Sequence, residues 1–334
     1  MPLTPKENYL RMLKGEIPEF VPAGMIYPHA NFPVQEELLT PQSAPNGPFV
    51  TSLGVTYVGS PENAWGAMPK PGEIIIDDIT KWREQLKIRD ISNWDWETYY
   101  TKMNEKYNRE LCVSVGGGDY FLTLVSLMGF EGALLAMYEE PDEVIALLTH
   151  ISEFYLTVLK NQMYYLKPDV VGLMDDDSAY RAPFFSVEMY RKIFKPFHKL
   201  HTDIAQEAGC PIDRHDCGKC EQFIDDWLEL GIGSWNPNQD TNDVKGIKKK
   251  YGNRLAMGGL WEDQDKFRGK KADPKEMRDS LAKYVDTYAP GGGFTYFTML
   301  GSMPGMTPLP YQEENNEIAK EFYFDYVKDW YKTH

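Results

Sequence analysis

Cysteine is scarce in this chain: four residues among 334, at positions 112, 210, 217 and 220. So few, so unevenly spaced, exclude a disulfide-framed scaffold at this length, and a reducing cytoplasm is the expected setting. Long apolar runs are missing as well. No stretch of about 18 apolar residues occurs, so no helical bilayer span is predicted. The opening MPLTPKENYL has no apolar core behind a basic stretch, and no secretory leader is expected. Positive charge is in deficit, with 35 Lys and Arg against 50 Asp and Glu, a net charge of −15. That balance argues against nucleic acid or an anionic membrane as partner, because both need cationic patches, although an average is compatible with a local one.

Hydrophobic residues make up 42% and charged residues 25%, the balance of a folded globular protein. Helix signals and short apolar runs alternate from end to end. Thr4, Pro5 and Glu7 form a capping box with proline at the first helical position, and Gly15 stops that helix. Apolar segments at 20–27, 111–117, 168–174, 210–215, 232–236, 255–260 and 293–300 are predicted strands, with an eighth, distorted one within 45–60. Predicted helices lie between them, opened by Ser186 or Asp273 and stopped by Gly209, Gly231 or Gly252. Continuous alternation without a linker predicts one α/β domain, a (β/α)8 TIM barrel over residues 1–334, with an irregular insertion at about 28–100. A doubly wound sheet is the alternative. It is disfavoured because YPHANF, and no glycine-rich phosphate turn, follows the first predicted strand.

In a barrel, chemistry gathers at the carboxyl ends of the strands. The sequence places there Tyr27 and His29, Asp119, the run Asp175-Asp176-Asp177 with Tyr180 and Arg181, His215 and Cys217, Trp235 and Asn236, Trp261 and Glu262, and Tyr296. HDCGKC holds His215, Cys217 and Cys220 close together. At a strand end His215 and Cys217 share a face, and an imidazole beside a thiolate is two thirds of a catalytic zinc site. The competing reading is a histidine satisfied by a carbonyl, with two free thiols in a turn. Three adjacent aspartates repel one another unless a cation or hydrogen bonds compensate. Asp176 or Asp177 is a candidate general acid, against a helix cap with solvated charges as the plainer reading. Arg181 is placed to balance that charge or to hold a substrate carboxylate. The 21 Tyr and 8 Trp are mostly packing, but aromatics at a barrel mouth suit a flat substrate.

Six stretches then carry a resemblance, in order along nearly the whole chain: TPKENYLRMLKGEIPEFVP, LMGFEGALLAMYEEPDEVIALL, LMDDDSAYRAPFFSVEMYRKIFKPFHKLH, HDCGKCEQFIDDWLELGIGSWNPNQD, KKKYGNRLAMGGL and APGGGFTYF. Together they resemble the uroporphyrinogen decarboxylase superfamily, which includes the cobalamin (corrinoid)-dependent methyltransferases. The resemblance implies a (β/α)8 barrel. True uroporphyrinogen decarboxylases carry an arginine-rich amino-terminal signature, whereas VPAGMIYPHANFPVQ here contains no arginine, so porphyrinogen decarboxylation is not expected. The opening segment, the paired aspartates after a strand and HxCG are similar to the methyltransferase branch. That branch moves a methyl group between a small substrate and the cobalt of a separate corrinoid protein. Several members use zinc held by an HxC pair and a distant cysteine near the last strand.

This chain departs from the last detail, for Met299, Leu300 and Met303 occupy that neighbourhood and no cysteine does. The implied metal ligands are His215, Cys217 and Cys220. His29, an aspartate or Glu262 are alternatives for the third place, and a metal-free site is the remaining one. A missing sulfur counts against a thiol acceptor and fits O-demethylation of a methoxylated compound, an aryl ether above all. Such a donor is expected to lie among Tyr27, Tyr180, Trp235 and Trp261, with His29, Asp119, Arg181, Asn236, Glu262 and Tyr296 as further substrate contacts. Asp176, Asp177 and His215 are the expected catalytic residues. The expected partners are a corrinoid protein and a small methylated molecule, and a homodimer is compatible with the sequence. A decarboxylase acting on another substrate and a non-catalytic ligand-binding barrel are the competing readings.

Overall fold

The computed structural model describes residues 2–31, 38, 47–59, 67–259, 261–301 and 308–334; Met303 and parts of the 28–100 insertion lie outside them. Two sheets are present among the described residues. The smaller is an antiparallel meander of β1 (Phe49–Val50), β2 (Thr56–Val58) and β3 (Met68–Pro69). It occupies the segment predicted as an eighth barrel strand, and so corrects that expectation. Turns such as the one at Gly54, whose φ is +82°, leave only short extended runs.

The larger sheet is parallel and runs β4 (Ser114–Gly117), β5 (Val170–Met174), β6 (Ile212–His215), β7 (Ile232–Asn236), β8 (Ala256–Gly258), β9 (Phe294–Thr295), in that spatial order. Each strand lies beside its predecessor in sequence, with helical crossovers between. A doubly wound sheet reverses direction at a switch point, and this one never does. The edges of the sheet are met by one segment. The Tyr296 N–H donates to the Pro22 carbonyl at 2.8 Å, continuing β9, and the Cys112 N–H donates to the His29 carbonyl at 2.8 Å, leading into β4. Residues 20–31 therefore stand where the first predicted strand was expected, but as two short bonded pieces around a turn (Ala23 bridging to Tyr27) and not as a continuous strand. The architecture is the expected (β/α)8 barrel.

The capping box at Thr4 and Glu7 opens helix Pro5–Leu13 as predicted. Its apolar side, Met12 and Leu13, packs on Cys112, Val170 and Ala256, near the amino-terminal ends of β4, β5 and β8. The helix thus closes the end of the barrel opposite the chemistry. Gly233 on β7 permits the approach, since a Cβ there would lie 2.6 Å from the Leu13 carbonyl oxygen. No single helix among the described residues is long and apolar enough to cross a membrane. The apolar pair Tyr120–Met128 and Phe130–Glu139 is bent by 110°, and much of it is buried in the core.

Candidate metal centre

Side-chain parity on β5 and β6 builds the site. Successive residues of a strand face opposite ways, and residues paired in register face the same way. The register Met174↔His215 continues past the strand ends, where the Asp175 N–H donates to the His215 carbonyl. One row, Asp213, His215 and Cys217, therefore shares a side with Met174 and Asp176 and looks into the barrel. The alternate row, Arg214 and Asp216, shares a side with Asp175 and Asp177 and looks toward the surrounding helices.

The inward row converges at the mouth. His215 Nε2 lies 3.5 Å from Cys217 Sγ and 3.9 Å from Asp176 Oδ1, and the three donor atoms fall within 4.8 Å of one another. All three residues are half-buried. The Cys217 N–H donates to Asp176 Oδ1 at 2.9 Å, which ties the two loops together. Burial and the adjacent Asp176 carboxylate push the Cys217 thiol up to about 12. The donor set of one nitrogen, one sulfur and one oxygen, open on one side, fits a tetrahedral zinc with a free fourth position.

The outward row is a buried charge layer. Arg214, fully buried, donates to Asp177 at 2.6 Å and to Asp216 at 2.6 Å, and its guanidinium lies 4.8 Å from the Trp227 ring centroid. Asp175 accepts from the Phe121 and Leu122 N–H groups, both at 2.9 Å, at the start of helix Tyr120–Met128. Burial pushes Asp175 and Asp177 up to about 7, with Arg214 acting the other way. The Asp177 N–H in turn donates to Asp216 Oδ1, a second tie between the loops that carry Asp176 and Cys217.

Several expected site residues stand elsewhere. Asp177 is sealed in the outward layer and cannot act as an acid at the mouth; of the three aspartates only Asp176 is partly exposed. Cys220 lies outside the converging set: it is buried, with its thiol 2.9 Å from the Cys217 carbonyl oxygen and 3.1 Å from Asp216 Oδ1. Trp235 shares the outward parity, packs on Trp227 and gives its indole N–H to the Asp216 carbonyl. Tyr296 faces helix Gln312–Phe322 and donates to the Ala319 carbonyl. Trp261 and Glu262 line a shallow groove between outer helices, where Glu262 meets Lys245 and Tyr288. Tyr180 and Arg181 are exposed, Tyr180 bonding to Asp240 at 3.0 Å. Asp119 is buried, pushed up to about 8 by burial and by Asp175. Tyr27 packs with Phe20 and Phe324 under the Lys328 ammonium. His29 is buried and stacked on Tyr9 at 3.8 Å, with burial lowering it to about 4. Asn236 alone of that set touches the centre, its Oδ1 lying 3.2 Å from His215 Nδ1. Sequence reasoning passed over Asp213, two residues before His215 on the same face; strand parity was the signal that could have found it.

The whole chain resembles a solved structure described as a methyltransferase from Methanosarcina mazei, with a TM-score of 0.61 over 96% of this chain and 99% of that one, at 14% identity. No curated protein matches the sequence. The family model for uroporphyrinogen decarboxylase (URO-D) matches residues 100–302, the span that holds every strand of the parallel sheet and all three converging donors. The chain belongs to the uroporphyrinogen decarboxylase family.

Proposed function

We propose that this protein is a methyltransferase that moves a methyl group from a small methylated donor, a methoxylated aromatic compound, to the cobalt(I) of a partner corrinoid protein. The observation that carries this reading is the convergence of Asp176, His215 and Cys217 at the carboxyl ends of β5 and β6. A solved structure of the same fold, named as a methyltransferase, supports it.

Asp176, His215 and Cys217 would hold zinc; bound there, zinc would polarise the ether oxygen as a Lewis acid. Asp176 and Cys217 bring two negative charges and His215 brings none when neutral, so the ligand set matches a dication. With one sulfur and one carboxylate oxygen in place of two sulfurs, the set is harder, which favours an oxygen leaving group over a thiol acceptor. In the transfer the C–O bond breaks with its electron pair staying on oxygen. The cobalt(I) of the partner supplies the pair for the new bond to the methyl carbon, and a proton completes the alcohol or phenol. With Asp176 among the ligands, that proton comes from solvent at the half-buried mouth.

Decarboxylation of a polycarboxylate needs cations at the mouth. Arg214, the arginine nearest the converging donors in sequence, is buried and held by Asp177 and Asp216, which favours methyl transfer. The test is anaerobic absorbance of cob(I)alamin with the zinc-loaded protein and donors running from methoxylated aromatics through methanol to methylamines. Protein-dependent loss of the cobalt(I) band with a methoxylated aromatic supports the reading. No change with any donor, repeated with a native corrinoid protein, overturns it.

A further inference from the structure

We infer that Asp213 and Asn236 are positioning residues that lock His215 in the tautomer with hydrogen on Nδ1, leaving a bare Nε2 lone pair aimed at Cys217 and Asp176. The consequence for metal binding rests on the function proposed above; the tautomer itself does not.

Asn236 sits beside His215 on β7, in register with it. A side-chain amide has two unlike ends, an NH2 that only donates and a carbonyl that only accepts. Asp213, two residues before His215 on the same face of β6, decides which end points where. Asn236 Nδ2 lies 3.1 and 3.0 Å from the two Asp213 carboxyl oxygens, so the NH2 end of the amide donates to that group. The amide is thereby held with Oδ1 turned to His215 Nδ1, at 3.2 Å. An acceptor facing that nitrogen requires a hydrogen on it. In a neutral imidazole the other nitrogen is then bare, and Nε2 is the atom 3.5 Å from Cys217 Sγ. The chain carboxylate, amide, imidazole is the arrangement by which a second layer of residues fixes ligand tautomer and ring orientation. It also gives Asn236 a protein partner at each of its polar ends.

The experiment is long-range 1H–15N correlation of metal-free protein labelled at histidine nitrogen. Six histidines are present, and His215→Gln assigns the signal. Wild type is expected to carry hydrogen on His215 Nδ1. Asn236→Leu should release it to the tautomer mixture of an unconstrained imidazole. Asp213→Asn, which keeps shape and lets the Asn236 amide turn over, should do so in part and serves if the first variant folds poorly. Zinc affinity by chelator competition should fall about 10–100-fold in Asn236→Leu. Hydrogen on Nε2 in wild type, or an unchanged Nδ1–H signal in both variants, overturns the inference. A wild-type protein with hydrogen on Nδ1 that takes up no zinc supports the tautomer and overturns the metal reading, so the two failures are distinguishable.

Discussion

Asp176 differs from its two neighbours only in which way it faces, and that difference sets what each aspartate does. Asp175 and Asp177 are fully buried, bonded to backbone amides or to Arg214, while Asp176 meets His215 and Cys217. Asp177→Ala should therefore cost stability, about 3 kcal/mol by urea denaturation, because it leaves half of a buried ion cluster uncompensated. Asp176→Asn should leave stability nearly unchanged while weakening zinc binding. The cysteines divide in the same way. Cys217→Ala should weaken zinc binding more than about 100-fold, beyond what loss of a supporting residue costs. Cys220→Ala, which removes a thiol bonded inside the loop, should leave it within about threefold, as read by chelator competition. Equal losses from both would place Cys220 among the ligands after all.

At the scale of elements, the loops after β5 and β6 act as one unit. Two reciprocal bonds join them, Cys217 N–H to Asp176 and Asp177 N–H to Asp216, and Gly218 packs under the first loop. Gly218 has φ +85°, and a Cβ there would lie 2.5 Å from the Ser178 carbonyl oxygen and 2.6 Å from that of Ala179. Gly218→Ala should destabilise the protein by about 2 kcal/mol or more, measurable by urea denaturation, and weaken zinc binding as the loops part. The sequence made most of these elements legible. Segments 168–174, 210–215 and 232–236 hold strands Val170–Met174, Ile212–His215 and Ile232–Asn236, and the cap at Thr4 forms as its residue types require. HxC also announced a shared face. What could not be read was register where the apolar alternation ends. A slip of one residue exchanges inward for outward, and this is why Trp235, Tyr296 and Asp177 were expected at the mouth. The segment 45–60 was misassigned for another reason: short β-rich runs look alike whether they join a barrel or a surface meander.

The molecule as a whole carries a pH dependence that follows from its buried groups. Asp119, Asp175 and Asp177 are raised, from an ordinary 3.8 to about 8, 7 and 7, chiefly by burial. In that window the folded chain binds more protons than the unfolded one, so stability falls as pH rises from about 4 to about 8. His29 and His201 are lowered by burial, from 6.5 to about 4 and about 3, so they remove stability as pH falls below 6.5. The two sets oppose each other in mild acid; above pH 6.5 the three aspartates still lower stability as they ionise, while Lys248, lowered by burial to about 8, acts the other way near pH 8. The melting temperature should therefore decline between pH 6.5 and 8.5, and Asp119→Asn should flatten that decline by about 2 °C or more. An identical decline in the variant would mean that Asp119 is already ionised in the folded protein.

On the proposed function, the converging Asp176, His215 and Cys217 are where the methyl group leaves its donor. The most direct test of that is the single-turnover rate of cobalt(I) loss, with a donor the wild-type protein accepts, compared with the same rate in Cys217→Ser and His215→Ala. The account predicts that both variants fold normally and are slower by at least about 100-fold, roughly 2.7 kcal/mol in the barrier. Full rates in both would contradict it and place the chemistry elsewhere in the barrel.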